Sequence, residues 1–420
     1  MVWKIFSLRY IQLLRMRKTI VRWGFRAVRI MSEKDPRSRT GVFLCRCGGA
    51  MSLTINMEIL EAEAKGMAGV VHTSTADFLC HLDSREQITK TIVSEKLDRV
   101  VVAACSPLLY GKEFREAVEK GRVKGCLIEM ANIREQCAFI HSDREKATAK
   151  AATMIGTAVA KLAVTGLKEN DNKAVVKPEN CSGCGVCLST CRVSAVKLID
   201  DPGRPGRKVA TVDPKMCEGC GACVAACPSA AMDQNCFSNQ EVTAEIDALT
   251  PVRATEDEGF PNIVMFACNW CSYAAGDLAG IKRLQSQTSF KVIRTMCSAR
   301  VDPEWVMRTL SRGADGVLIL AGKPGRCHYE VGSIRTNRRM LLLKEVIQQL
   351  GFDQSRFRTA FIDSDQPELY QQEVEDFIEK IKEIGPNPTR TPEPVERTYS
   401  TDYQFGGGIS EAAMKARDLI

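Results

Sequence analysis

The chain has 420 residues, 45% hydrophobic and 26% charged, which is ordinary for a globular protein of roughly two to four domains. Its nineteen cysteines, odd in number and mostly in metal-type spacings, argue against a disulfide scaffold and for a reducing cytosol, and four histidines leave little room for a His-rich catalytic metal site. The net charge of +7 is concentrated in residues 1–40, where eleven Lys/Arg face only Glu33 and Asp35, so the remainder stands near −2 and gives no general case for nucleic-acid binding.

Residues 1–32 read as an amphipathic helix. Arg15, Lys18, Arg22, Arg26 and Arg29 make a basic stripe, and Leu13, Met16, Ile20, Trp23, Ala27 and Ile30 an apolar one. Arginines interrupt every candidate signal-peptide core. A helix on an anionic membrane surface, a helix in a partner's groove, an organellar transit peptide and an extension packed on its own protein all stay open. No apolar run approaches the roughly 18 residues that span a bilayer. Residues 33–40 read as linker.

Residues 41–164 alternate strands and helices, the mark of a parallel α/β sheet. The expected strands are Gly41–Cys45, a run opening at Gly69-Val70-Val71, Leu97–Cys105 and Cys126–Met130. The expected helices are Met57–Lys65, Arg85–Lys96, Phe114–Lys120 and a long one from about Asn132 to Val164, with a break allowed. Cys45, Cys47 and Cys105 then fall at or just past carboxyl ends of strands, Cys137 enters a helix after another, and Cys80 lies in a connection. Those ends share one edge, where such sheets bind ligands. Cys126 begins its strand and reads as a core thiol.

Cys45-Arg-Cys47-Gly48, Leu79-Cys80, Val102-Ala-Ala-Cys105-Ser106-Pro107 and Met130-Ala-Asn-Ile-Arg-Glu-Gln-Cys137 resemble the N-terminal domain of the A-type subunit of heterodisulfide reductase. The resemblance implies a [4Fe–4S] cluster on Cys47, Cys80, Cys105 and Cys137, with Cys45 as the alternative to Cys47. Where that family continues into a flavin domain, residues 165–180 are a polar linker. No GxGxxG occurs in the chain, so no flavin is expected. Neither bifurcation nor disulfide cleavage is expected of the chain by itself.

Residues 174–236 carry Cys181-x2-Cys184-x2-Cys187-x3-Cys191 and then Cys217-x2-Cys220-x2-Cys223-x3-Cys227-Pro228. This is the double run of a bacterial-type ferredoxin with two [4Fe–4S] clusters, each run lending its fourth cysteine to the other cluster. One set is Cys181, Cys184, Cys187 and Cys227; the second is Cys217, Cys220, Cys223 and Cys191. Paired zinc knuckles are the alternative, but the x2-x2-x3 run does not suit one tetrahedral ion. Arg192 stands where proline is usual. It either raises the potential of that cluster or points to solvent. Cys236 reads as a bystander, and residues 237–260 as a polar, acidic linker.

Residues 261–385 read as a second parallel α/β unit. Its strands are Asn262–Cys268, Phe290–Cys297, Gly316–Leu320 and Arg358–Ile362. Its helices are Ser272–Leu284, one opening at Pro303 with Asp302 as cap, a long one to about Leu350, and Pro367–Ile384. Cys268, Cys271, Cys297 and Cys327 meet at the strand-end edge, a thiolate set that suits [2Fe–2S] or zinc. Phe266-Ala-Cys-Asn-Trp-Cys271, Met296-Cys-Ser-Ala-Arg-Val-Asp-Pro303, Gly313-Ala-Asp-Gly-Val317 and Cys327-His-Tyr329 are similar to the methyl-viologen-reducing hydrogenase delta subunit. That likeness implies a [2Fe–2S] cluster and a place between a hydrogenase or formate dehydrogenase and a heterodisulfide-reductase-type complex. Lys323 and Arg326 depart from the family loop. Arg335, Arg338 and Arg339 form a basic helix cluster that either docks an acidic partner or faces solvent. Residues 386–420 read as a tail.

The expectation is therefore a multidomain α/β plus α+β chain: a parallel-sheet unit, a two-cluster ferredoxin-like unit and a second parallel-sheet unit. It implies an anaerobic, cytoplasmic electron-transfer subunit, membrane-associated if residues 1–32 bind lipid, between a donor and a flavoprotein or heterodisulfide-reductase-type partner. A thiol–disulfide enzyme using Cys45/Cys47 or Cys268/Cys271, and a redox-sensing interaction protein held at a membrane surface by residues 1–32, are the alternatives.

Overall fold

The computed structural model describes residues 38–121, 123, 127–166, 171–251 and 259–390. The amphipathic stretch 1–32, Cys126 and the tail beyond residue 390 lie outside the described residues. No helix among the described residues is long and apolar enough to cross a membrane.

The first unit is a four-stranded parallel sheet: β1 (Thr40–Cys45), β2 (Val70–Ala76), β3 (Arg99–Ala104) and β4 (Ile128–Asn132), in the order β2-β1-β3-β4. The Val/Leu/Ala runs of β1 and β3 are buried throughout their apolar stretches, as two-sided parallel strands require. Helices α1 (Met57–Gly66), α2 (Leu82–Ser94), α3 (Pro107–Lys120) and α4 (Arg144–Val164) connect and cover the sheet. From β1 the chain goes first to one side, then to the other. The crevice between the carboxyl ends of β1 and β3 is thus the topological switch point, and Cys45 and Cys105 sit at its two lips.

Two boundaries differ from expectation. Helix α3 begins at Pro107, not Phe114: Ser106 caps it by accepting from the Leu108 N–H at 3.1 Å, and Pro107 fits the first turn. A non-helical Tyr110 (φ −123°) interrupts that turn and hides its periodicity. The long helix expected after Asn132 takes the break that the sequence allowed, which moves its start. Arg134–Ala138 is a π-helical turn, and α4 starts afresh behind the Asp143 cap, which accepts from the Lys146 N–H at 3.0 Å.

The middle unit holds β5 (Ala174–Val176), α5 (Val186–Thr190), β6 (Val196–Asp200), β7 (Lys208–Val212), α6 (Ala222–Ala226) and β8 (Met232–Gln234). β5 pairs antiparallel with β8, and β6 with β7. Residues 237–260 are not all linker. α7 (Asn239–Leu249) opens with a capping box between Ser238 and Glu241 and packs against α4. Two of its acids, Glu241 and Glu245, are buried: Glu245 lies 3.8 Å from the Lys161 ammonium, which also holds Glu129 at 2.6 Å.

The third unit repeats the first. β9 (Ile263–Cys268), β10 (Phe290–Thr295), β11 (Gly316–Ala321) and β12 (Phe357–Phe361) form a parallel sheet in the order β10-β9-β11-β12. α8 (Ser272–Ile281), α9 (Pro303–Ser311), α10 (Gly332–Gln349) and α11 (Pro367–Ile384) surround it. Asp302 caps α9 as expected, accepting from the Glu304 N–H at 3.0 Å, with Pro303 in the first turn. The two sheet units meet along the π-helical turn and α8. There the Ser106 hydroxyl donates to the Asp277 carboxylate, and the Asn132 amide donates to its other oxygen at 2.8 Å.

Candidate metal centres

In the middle unit the fold brings both cysteine runs to the sets expected from their spacing. Cys181, Cys184, Cys187 and Cys227 line one cavity, with the fourth thiol arriving from the opposite half. Burial, together with the neighbouring Cys227, Cys184 and Cys181, pushes the Cys187 thiol up to about 11. Cys223 is raised by burial and then by Cys220, Cys217 and Cys191, its own set, with Cys187 of the other set next. The two sets therefore adjoin.

The halves are built alike. Gly183 (φ +69°) and Gly219 (φ +71°) each turn the backbone into the left-handed region between two cysteines. A Cβ at Gly183 would lie 2.6 Å from the Lys208 carbonyl oxygen, and one at Gly219 2.8 Å from that of Asn172. Backbone amides reach the sulfurs: Ala210 N–H donates to Cys181 Sγ at 3.4 Å and Ala195 N–H to Cys191 Sγ at 3.2 Å. Arg192 is not free in solvent. Its guanidinium grips the Glu218 carboxylate at 2.8–3.1 Å and reaches Glu330 of the third unit at 2.9 Å.

In the third unit Cys268 ends β9, Cys271 follows one turn on, Cys297 follows β10 and Cys327 lies in the loop after β11. All four are buried. Their thiols touch in sequence, Cys271 to Cys268 to Cys297 to Cys327. The hydrogen bonds from Cys271 and Cys297 hold Cys268 well below the ordinary thiol range, while those two thiols are driven up. The hydrogen bond from Cys297 likewise lowers Cys327 to about 6. Glycines make room for this row. A Cβ at Gly322 would fall 2.5 Å from Cys271 Sγ, and one at Gly332 2.5 Å from Cys297 Sγ and 3.1 Å from Cys327 Sγ.

In the first unit the thiols divide. Cys45, Cys47 and Cys80 are charge neighbours, and Cys105 feels Cys45 and Cys80. Cys45 Sγ accepts from the Cys47 N–H at 3.4 Å. Arg134 donates to Cys47 Sγ at 3.2 Å and pairs with the buried Glu135. Burial, then Glu135, pushes Cys105 up to about 12. Cys137 stands apart: its sulfur lies 4.0 Å from the Asn132 carbonyl, and its one charged neighbour is the buried Lys150. Cys236 packs at the edge of this same core.

Buried thiols such as Cys45, Cys105, Cys187 and Cys223 resist ionising and need cationic partners before they can share a site as thiolates, and iron–sulfur clusters supply them. The soft donor sets, the amide hydrogen bonds to sulfur and the glycine cradle all fit such clusters. No group of three or more His, Cys, Asp or Glu side chains among the described residues is gathered as a single metal ion would need.

Four side chains that matter at these sites carried no role in the sequence reading: Arg134, Glu218, Arg300 and Tyr329. Arg134, Arg300 and Tyr329 stand inside the quoted motif blocks, so their position was visible and their partners were not. Arg300 is fully buried. It packs on Gly221 and over Trp305, and donates to the Phe237 carbonyl at 3.1 Å. Tyr329 donates to the Glu218 carbonyl at 3.3 Å and accepts from the Trp270 indole at 3.1 Å. Of the departures at the third loop, Arg326 pairs with Asp363 and Asp365. Of the basic helix cluster, Arg339 is committed to the Ala299 and Val301 carbonyls.

The family model described as methyl-viologen-reducing hydrogenase, delta subunit, matches residues 263–385, and a 4Fe-4S dicluster domain model matches residues 180–231. The chain is 39% identical over 126 residues to the D-type iron-sulfur subunit of the F420-non-reducing hydrogenase vhc of Methanococcus voltae, covering 30% of this chain and 88% of that protein. It is 38% identical over 130 residues to the corresponding D-type iron-sulfur subunit of Archaeoglobus profundus, covering 31% and 95%. It is 42% identical over 229 residues to the A-type subunit of the ferredoxin:CoB-CoM heterodisulfide reductase of Methanosarcina mazei, covering 54% of this chain and 28% of that relative. The chain thus spans well under a third of the length of that reductase protein.

Proposed function

The chain belongs, through residues 263–385, to the methyl-viologen-reducing hydrogenase delta-subunit family, and from that premise we propose that it is an iron–sulfur electron-transfer subunit of a heterodisulfide-reductase-type oxidoreductase complex. Two [4Fe–4S] clusters are assigned to Cys181, Cys184, Cys187 and Cys227, and to Cys217, Cys220, Cys223 and Cys191. A [2Fe–2S] cluster is assigned to Cys268, Cys271, Cys297 and Cys327. A further [4Fe–4S] cluster is assigned to the first unit, on Cys47, Cys80, Cys105 and Cys137 with Cys45 as the alternative to Cys47; Cys45, Cys47, Cys80 and Cys137 share one core, and Cys105 feels Cys45 and Cys80.

When bound, such clusters supply one-electron chemistry over a wide span of potentials. The chain's own part is to bury the sulfurs, aim amides at them and hold the sets side by side. The observation that carries the reading is one apolar cluster in which Cys297 and Cys327 of the third unit pack with Ala222, next to the Cys220 of the middle unit. Thiols of two candidate sets, Cys297 and Cys327 of one and Cys220 of the other, thus pack at one apolar cluster. The donor on this reading is a hydrogenase or formate dehydrogenase, and the acceptor a flavoprotein or another heterodisulfide-reductase-type protein. The place of work is the cytoplasm, with residues 1–32 meeting a membrane surface. Liposome sedimentation with and without that segment tests the last point, and equal recovery removes it.

Anaerobic isolation tests the whole reading. The expected product is a brown protein with about fourteen irons per chain and reductant-induced paramagnetic signals. A colourless protein whose thiols all titrate would replace electron relay with thiol–disulfide exchange.

A further inference from the structure

The two halves of the middle unit differ at one matched position. Pro228 follows Cys227, and Arg192 follows Cys191. Arg192 makes two separate grips. One is forked, from Nε and Nη2 onto the Glu218 carboxylate. The other runs from Nη1 to Glu330 across the seam between units at 2.9 Å. Glu218 lies between Cys217 and Cys220. Glu330 lies three residues after Cys327 in a left-handed backbone conformation (φ +55°). Next to it, Tyr329 ties its hydroxyl to the Glu218 carbonyl. Behind this rim lies the apolar cluster that Cys297 and Cys327 share with Ala222, next to Cys220.

We propose that Arg192 is a positioning residue whose two-armed clamp holds the Cys217/Cys220/Cys223/Cys191 set in register against the Cys268/Cys271/Cys297/Cys327 set, so that the two exchange electrons as a pair. The inference rests on the electron-relay reading. The positive charge does not act as a free tuning charge, because two carboxylates face it. Its side chain is 23% exposed and that of Glu330 72%, so the clamp sits at the rim and contributes alignment more than stability. Its removal therefore leaves a folded, iron-loaded chain.

The test uses the full chain, purified anaerobically and reduced with dithionite, as wild type, Arg192→Ala, Arg192→Lys and Glu330→Ala. Low-temperature electron paramagnetic resonance reads the spin–spin broadening and relaxation of the C-terminal signal, and a redox titration reads the midpoint potentials. In the wild type the C-terminal signal is broadened by its neighbour. In Arg192→Ala and Glu330→Ala the broadening falls by about half or more while iron content holds, because a loosened contact misplaces one set against the other. Arg192→Lys restores part of it. A shift of potential with unchanged broadening would overturn the clamp in favour of electrostatic tuning, and unchanged broadening with unchanged potentials would overturn it outright. A wild-type chain without iron would instead overturn the relay reading, and the clamp with it.

Discussion

Gly332 has no side chain because two sulfurs occupy the place where one would go. An added Cβ falls 2.5 Å from Cys297 Sγ, at the buried opening turn of α10. Gly332→Ala is therefore expected to cost the C-terminal centre, about two irons per chain, and to leave the ferredoxin signals unchanged. Iron analysis and spectroscopy check it; full iron content would remove the assignment of this set. Asp277 sets a pH dependence. Burial at the seam between the sheet units lifts its carboxyl from 3.8 to about 7. The folded value lies above the unfolded one, so no penalty acts below about pH 4, and stability is lost as pH rises through 7. The full loss is a few kcal/mol, at most about 4. Anaerobic melting from pH 5 to 8 is expected to show a falling Tm in the wild type and a flatter profile in Asp277→Asn. Parallel profiles would refute the seam's role. The cysteines were legible from spacing because a ligand set needs fixed local geometry. The partners of Arg134, Arg192 and Tyr329 were not, because they come from chain segments that only the tertiary fold brings close.

At the scale of elements, alternation of apolar runs and amphipathic stretches located every strand of the two sheets. The failures have physical causes. Acidic composition hides α7, yet its Glu245 shares the buried Lys161 with Glu129 of β4. Burial drives that ammonium down less than Glu129 and Glu245 raise it, so it stays charged. Lys161→Met leaves two buried carboxylates without their cation. It should destabilise the α4–α7 contact by about 3–5 kcal/mol, measured by anaerobic denaturant unfolding. A loss under about 1 kcal/mol would mark the pair as solvated. Loss of the capping box in Ser238→Ala should cost about 1 kcal/mol by the same measurement. The start of α3 was missed because Ser106-Pro107 signals both the end of a strand and the start of a helix.

Across the whole molecule, two sheets of the same strand order flank a small cluster-type unit, and each puts its cysteines at the crevice beside its first strand. The edge rule made that arrangement legible before any contact was known. What periodicity does not encode is which side of the ferredoxin-like unit faces which sheet, since the buried Arg300 against Gly221 and the Tyr329 hydroxyl on the Glu218 carbonyl decide it. That orientation leaves the middle unit lopsided. Its second set lies against Arg300 and Tyr329 with Cys191 and Cys220 half-buried, whereas Cys184 of the first set is exposed. Dioxygen and other small oxidants therefore reach the first set more directly. On brief admission of air, iron should leave the Cys181/Cys184/Cys187/Cys227 cage before the C-terminal one, whose four sulfurs are all buried, so that damage begins where the thiols meet solvent.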